Sequence, residues 1–322
     1  MEQKSCSALA NQSFTHLKSR TIMSKKVLIT GATGKIASLA IPSLIENGLS
    51  VRAFVRNAKK AESLDKPGVE IFVGDLYNQQ SINEAAKGMD AVLSLTAAGP
   101  DAVAQASAIT KAAKQAGVKH LIRLSAIKAA EDAPTENGRF HFQSDKEIIA
   151  SGIPYTILRP HFFMQNFFMS VPTILEQGSM YWGMGQGKLG MIDVRDIADC
   201  IVSLLSSGGH EGKIYNPTGA SSISFTEAAA IISKGIGKPV NYISIPIEAV
   251  GEALRSMGQG EWVAQLMMDY SKAYSANWGD YTNNDVETIT GHPPRSFQKF
   301  FDEVMSLGFK APVKSEDELV AV

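Results

Sequence analysis

Two glycines three residues apart, Gly31 and Gly34 in the run KVLITGATGKIA, carry the first chemistry that this sequence suggests. An apolar stretch ends in Gly31-Ala32-Thr33-Gly34-Lys35-Ile36, and a helical period starts there. The first N–H groups of a helix lack partners within it, and its dipole places partial positive charge at that end. An anion is therefore held there largely by backbone. Gly31 permits a tight turn, Gly34 leaves the volume a β-carbon would fill, and Ala37 keeps the helix close to the strand, which together suit a pyrophosphate. An ordinary strand-to-helix turn would use the same glycines for backbone reasons alone.

The following strands bear on that choice. The second apolar run, VRAFVR, ends in Arg56, about twenty residues past the motif, where a carboxylate would bind the ribose hydroxyls of NAD. A guanidinium at that place forks onto a 2′-phosphate. The expected cofactor is therefore NADP, with NADPH preferred over NADH and Lys35 and Lys59 as helpers. The third run ends VGDL, putting Asp75 and Leu76 where an adenine ring would lie; Asp75 either accepts from the ring's amino group or caps the next helix. The fourth ends in Thr96, Ala97 and Ala98, small enough for a cofactor to pass closely, and the fifth ends at Ser125. Turns alone would also explain such residues.

Positioning these groups takes a parallel sheet. From Lys25 onward β-branched or aliphatic runs alternate with longer segments of helical period, through VLIT, VRAFVR, VEIFVG, AVLSLT, HLIRLS and YTILRP. That alternation predicts an α/β fold with a doubly wound parallel sheet. Glycines 48, 88, 117 and 152 follow the last apolar residues of four helical segments, as helix stops do. After Pro160 the pattern changes to HFFMQNFFMSVPTILEQGSMYWGMGQGKLG, dense in Phe and Met and then in glycine. We read residues 24–160 as the nucleotide-binding domain and 161–310 mainly as a smaller C-terminal α/β lobe for substrate, with some segments returning to the sheet. Residues 1–22 read as a mobile extension and 311–322 as a charged tail.

Composition excludes several classes. A formal net charge of −1 with no basic run argues against a nucleic-acid grip. Two cysteines, Cys6 and Cys200, suggest neither a disulfide framework nor a metal site, so a reducing, cytoplasmic setting is expected. No stretch reaches the ~20 apolar residues of a membrane span. The expected partner is a small molecule, with a homodimer compatible.

TGATGKIA, the arginine after the second strand, the GDL after the third, HFQSDKEIIASGIPYTILRPHFFMQN and VRDIAD together resemble the NmrA-like atypical short-chain dehydrogenase/reductases, over about residues 24–308. The resemblance implies a Rossmann domain, bound NADP(H) extending past Pro160, and a C-terminal substrate lobe. It also exposes a departure. In typical short-chain dehydrogenases a Tyr and a Lys four residues later share one helix face, and the phenol exchanges the carbonyl proton. Here the pair is Phe142 and Lys146, and Ser125 loses its usual partner. Lys146 remains suited to the nicotinamide ribose.

Two routes stay open for an enzyme. His141, beside the vacated position, has the right ordinary pKa for an acid; alternatively, a conjugated acceptor such as a quinone leaves a stabilised anion that water protonates. The resemblance places a substrate wall at His161, Phe162, Phe163 and Asn166, joined by Tyr181 and Trp182, flat surfaces suited to flat substrates. Gly183, Gly185 and Gly187 suggest a mobile lid. The functional expectation is an NADPH-dependent oxidoreductase acting on a quinone, enone, aldehyde or similar acceptor. The alternative, which the missing tyrosine favours, is a non-catalytic NAD(P)-sensing regulator.

Overall fold

The computed structural model describes residues 24–309, so the expectations for the N-terminal extension and the C-terminal tail lie outside the described residues. Runs with few polar side chains form central strands buried on both faces, as a parallel sheet covered by helices requires, while the two edge strands are more exposed. The strands β1 (Lys26–Ile29), β2 (Ser50–Val55), β3 (Val69–Val73), β4 (Ala91–Ser94), β5 (His120–Leu124) and β6 (Tyr155–Leu158) come first. Between them lie α1 (Lys35–Glu46), α2 (Gln79–Ala86), α3 (Ala102–Ala116) and α4 (Glu136–Ala150). The chain continues through α5 (Val171–Gln177), β7 (Ser179–Trp182), β8 (Lys188–Leu189), α6 (Val194–Ser207) and β9 (Lys213–Tyr215). It then passes β10 (Ile223–Ser224), α7 (Phe225–Ile236), β11 (Asn241–Ser244), α8 (Ile247–Ser256), α9 (Glu261–Ser275) and α10 (Asp285–Thr290).

The main sheet is seven-stranded and parallel, in the order β3-β2-β1-β4-β5-β6-β9. The order reverses at β1, where neighbouring crossovers leave in opposite directions and open a crevice at the strands' carboxyl ends. One core packs α1 and α6 on one face, around Val27, Ile29, Ala40, Leu93 and Ile201; a second packs α2, α3 and α4 on the other, around Leu28, Val92, Ile109 and Ile148. The run KIYNPTG supplies β9 to the main sheet, and VNYISIP supplies β11, which pairs with β7. Residues 194–215 thus cross back to the nucleotide-binding layer after the chain has already entered the other lobe.

The second lobe is built on aromatic packing. Phe162, Phe167, Trp182, Phe225, Phe297 and Phe300 share one core, with Phe167 and Phe225 stacked at 4.8 Å. The glycine-rich stretch is part of this packing, and the lid expectation is corrected accordingly. A β-carbon on Gly187 would lie 1.9 Å from the Tyr274 carbonyl oxygen, and Met184 between the glycines is completely buried. Gly187 lets backbone meet backbone and Gly183 packs against the Ser271 and Val250 side chains, and a segment held that way does not swing.

Candidate functional site

The carboxyl edge of the sheet gathers the residues expected to hold a dinucleotide. Thr30, at the end of β1, donates from its hydroxyl to the Leu95 carbonyl and accepts from the Leu95 N–H, tying the turn to the end of β4. Gly31 then turns the chain at φ +61°, and a β-carbon there would crowd Leu95 at 3.2 Å. Gly34 is the N-cap of α1 and offers no side chain to its N–H groups, and the first turn carries no acidic residue. Asn78, Thr135, Asp193 and Ser224 cap α2, α4, α6 and α7 with side-chain oxygens, whereas α3, α5, α8, α9 and α10 share with α1 the lack of a side-chain cap. At α1 the donors carry no side-chain cap, and Gly34 spares the turn a β-carbon that would meet the Gly31 carbonyl at 3.1 Å. Ala32 and Ile36 are buried beneath the turn, whereas Thr33 and Lys35 are exposed beside it. Partial burial holds the Lys35 ammonium below the ordinary lysine range.

Arg56 is exposed at the end of β2. Arg52, Arg123, Arg139, Arg159, Arg195, Arg255 and Arg295 each donate a hydrogen bond, while Arg56 has no hydrogen-bond or ion-pair partner among the described residues. Asp75 is exposed nearby and accepts from the Tyr77 N–H at 3.0 Å. The expectation that it caps the next helix is corrected, because Asn78 fills that cap. Leu76 is half-buried, Ala97 and Ala98 are exposed along the edge, and Thr96 is half-buried under Arg123. Ser125 and Pro160 are buried: Ser125 donates to Asp145 at 2.8 Å, and the Pro160 carbonyl accepts from Ile127.

Beneath the carboxyl ends of β4 and β5, Thr96, Ser125 and His141 join a polar cluster with Arg123, Asp145 and Arg159, three residues that the sequence did not single out. Arg123 is fully buried and donates to the Thr96 hydroxyl at 3.0 Å, with its Nη2 at 3.4 Å from His141 Nδ1. Asp145 is also fully buried; its Oδ2 accepts from Ser125 and from Arg159, 2.9 Å away. Burial pushes the Arg123 guanidinium down to about 10, with Asp145 opposing the shift, and raises the Asp145 carboxyl against the pull of Arg159. His141 is held well below the ordinary histidine range by burial, reinforced by Arg123 and Arg159. The two guanidinium groups beside it oppose an imidazolium at this place. Asn137, one turn before His141 on α4, donates to the Tyr270 hydroxyl at 2.9 Å and so joins α4 to α9 of the other lobe. The available signal was an arginine inside an otherwise apolar strand, HLIRLS, together with an Asp and an Arg flanking the lysine helix and the ILRP turn.

Phe142 and Lys146 lie as the helical spacing requires, with the exposed ammonium 5.6 Å from the ring centroid. The aromatic wall is mostly not a wall. His161 is 1% exposed, donates from Nε2 to the Gly279 carbonyl and accepts at Nδ1 from the Phe162 N–H; burial drives its pKa down to about 3. Phe162 and Trp182 meet edge to face inside the second core, where the indole donates to Ser170. Tyr181 is exposed elsewhere, bonded to Gln177 on its own lobe. Phe163 and Asn166 alone of that set remain half-buried. Lys128, at φ +46°, places its ammonium 5.4 Å from the Trp278 ring and 4.8 Å from the Tyr281 ring, joining the β5 loop to the second lobe.

A doubly wound parallel sheet whose first helix opens onto a glycine turn at the switch point is the arrangement of a dinucleotide-binding α/β protein. The sequence matches the model of the NmrA-like family over residues 23–292, and the chain belongs to that family. An NAD(P)H azoreductase from Xenophilus azovorans is 37% identical over 277 residues, 85% of this chain and 96% of the azoreductase. The NADPH-dependent quinone oxidoreductase of Escherichia coli, solved with NADPH, superposes with a TM-score of 0.80 at 28% identity, covering 87% of this chain and 99% of that one. The triphenylmethane reductase of Citrobacter sp., solved with NADP(H), gives 0.78 at 26% identity over 87% of this chain and 100% of its own. No helix among the described residues is long and apolar enough to cross a membrane.

Proposed function

We propose that this chain is an NADPH-dependent oxidoreductase that reduces a small conjugated acceptor, a quinone, enone, aldehyde or azo compound, without a tyrosine acid. The observation that carries this reading is the pairing of an open nucleotide cradle with Phe142 in the place of the phenol, Lys146 packed against it. A saturated ketone reduced by hydride leaves an alkoxide that needs a proton at once. A conjugated acceptor spreads the charge into a phenolate-like anion with a pKa of about 10, which solvent protonates.

The bound cofactor supplies the hydride; the protein's part is positional. The open N–H groups after Gly34 hold the diphosphate, Arg56 takes the 2′-phosphate, and Asp75 and Leu76 flank the adenine. Ala97 and Ala98 allow close passage, and Lys146 reaches the nicotinamide ribose. Phe163, Asn166 and Trp278 border the acceptor. The fit of NADP(H) rests on the uncapped turn and the unpartnered arginine. The test is to follow NADPH absorbance against a panel of quinones, enones, aldehydes and azo dyes alongside cofactor binding by fluorescence. Consumption with at least one class is expected. Saturable binding with no consumption across the panel would instead favour the sensing regulator, which the same Phe142 allows.

A further inference from the structure

Arg123 is completely buried, and nothing in the positional account above uses it. A sealed guanidinium is costly unless every donor is placed, yet its Nε has no partner, and Asp145 Oδ1 close by is also unpartnered. Such a group is retained where its orientation of a neighbour matters. Its neighbour is His141. A guanidinium carries only donors, so the imidazole nitrogen that faces it, Nδ1 at 3.4 Å, must present a lone pair. A neutral ring with Nδ1 accepting carries its proton on Nε2. That nitrogen has no hydrogen-bond partner among the described residues and is not sealed from solvent, since it is absent from the buried, unsatisfied atoms of the fold. His141 shares one α4 face with Asn137 and Asp145, at intervals of four, and that face lies over the carboxyl ends of β4 and β5, where a parallel sheet places its ligands.

We propose that Arg123 is a positioning residue: it fixes His141 as the Nε2–H tautomer and leaves that N–H free to donate to the acceptor atom on which negative charge develops. The proposal rests on the reductase reading above. Hydride from NADPH adds to one end of the conjugated system, the π electron pair moves to the terminal oxygen or nitrogen, and NADP⁺ remains. The terminal anion accepts a hydrogen bond from His141 and then takes its proton from solvent, so His141 keeps its own. The charged and titratable groups around the ring are Arg123 on β5, Arg159 after β6, Asp145 and Lys146 on α4, and Tyr270 reaching across from α9. Arg123, Arg159 and Lys146, set against the one carboxylate of Asp145, oppose protonation of the ring, which leaves a donor that does not titrate across the working pH range.

The test has two arms. Nitrogen-15 NMR of the full chain labelled at histidine, with His141 assigned by a His141→Gln control, should show the neutral Nε2–H form from pH 6 to 8. In Arg123→Met, checked for folding by its melting curve, the ring should lose that preference and titrate within this range. A cationic ring or an Nδ1–H form in the unsubstituted protein would overturn the proposal whatever the activity. In the kinetic arm, with 1,4-naphthoquinone as acceptor, His141→Leu should lower kcat about 10- to 100-fold with NADPH affinity unchanged. His141→Gln, which keeps a donor near the Nε2 position, should recover most of it, and the unsubstituted kcat should be flat between pH 6 and 8. An unaltered kcat in His141→Leu while quinone is still reduced overturns the proposal and leaves the reductase reading intact. Failure of the unsubstituted protein to reduce any acceptor defeats that reading, with the tautomer still measurable.

Discussion

Replacing Arg56 by aspartate tests the cofactor assignment with little interference from stability. The side chain is exposed and without a partner among the described residues, so its loss removes no internal contact. A hydrogen bond to a charged group contributes roughly 1.5–3 kcal/mol, which corresponds to about 10- to 150-fold in affinity. Exposure places this site toward the lower end at physiological salt, where the Debye length is about 8 Å, and the effect should grow as salt is lowered toward 0.01 M and that length reaches about 30 Å. Fluorescence titration of Arg56→Asp should therefore show NADPH binding weakened about 10-fold or more at 0.15 M salt, with NADH within about twofold of its original value. The melting temperature should stay the same. Equal weakening of both nucleotides, or of neither, would refute the assignment of the 2′-phosphate to this arginine.

Three further outcomes follow from the geometry. Gly34→Val fills the space above the turn, with its β-carbon already 3.1 Å from the Gly31 carbonyl, and should abolish measurable binding of NADPH and NADH alike while the circular dichroism stays native. Phe142→Tyr returns a phenol beside the Lys146 ammonium; ultraviolet difference titration should find it ionising below the ordinary value of about 10, and reduction of unconjugated ketones should appear or rise. His161 has a folded pKa of about 3 against about 6.5 unfolded, so the unfolded chain binds the extra proton between those values and stability falls as pH drops through them. At pH 5 this one residue should remove about 2 kcal/mol relative to pH 7.5 in urea unfolding, and His161→Gln should flatten the slope by that amount.

Much of the nucleotide half was legible because its signals are local. Strand runs, helix stops and the Gly31–Gly34 spacing are fixed by backbone sterics within a few residues, and Arg56 and Asp75 sit where a parallel strand must end. The second lobe was harder to read, since an aromatic buries the same area in a core as against a ligand. HFFMQNFF reads equally as wall or as packing until its neighbours are known, and only Phe163 and Asn166 stay accessible. Glycines 183 and 187 were misread for a related reason: a missing side chain allows both mobility and close contact, and the contacts come from Ser271 and Tyr274, distant in sequence. Arg123 escaped notice because its meaning depends on His141, Thr96 and Asp145, residues brought together only through the α3 crossover and the helix α4 that follows β5.

The placement of β9 at the edge of the main sheet has a consequence for how the polypeptide is made. Until Tyr215 has left the ribosome, the backbone of β6 on that side has no mate, and α1 lacks the cover of α6. At about 5–20 residues per second, the newborn nucleotide half spends seconds with an open strand while the aromatic segment after Pro160 is still being synthesised. Slowed translation between residues 161 and 215 should therefore lengthen chaperone contact and lower soluble yield more than the same delay placed after α7.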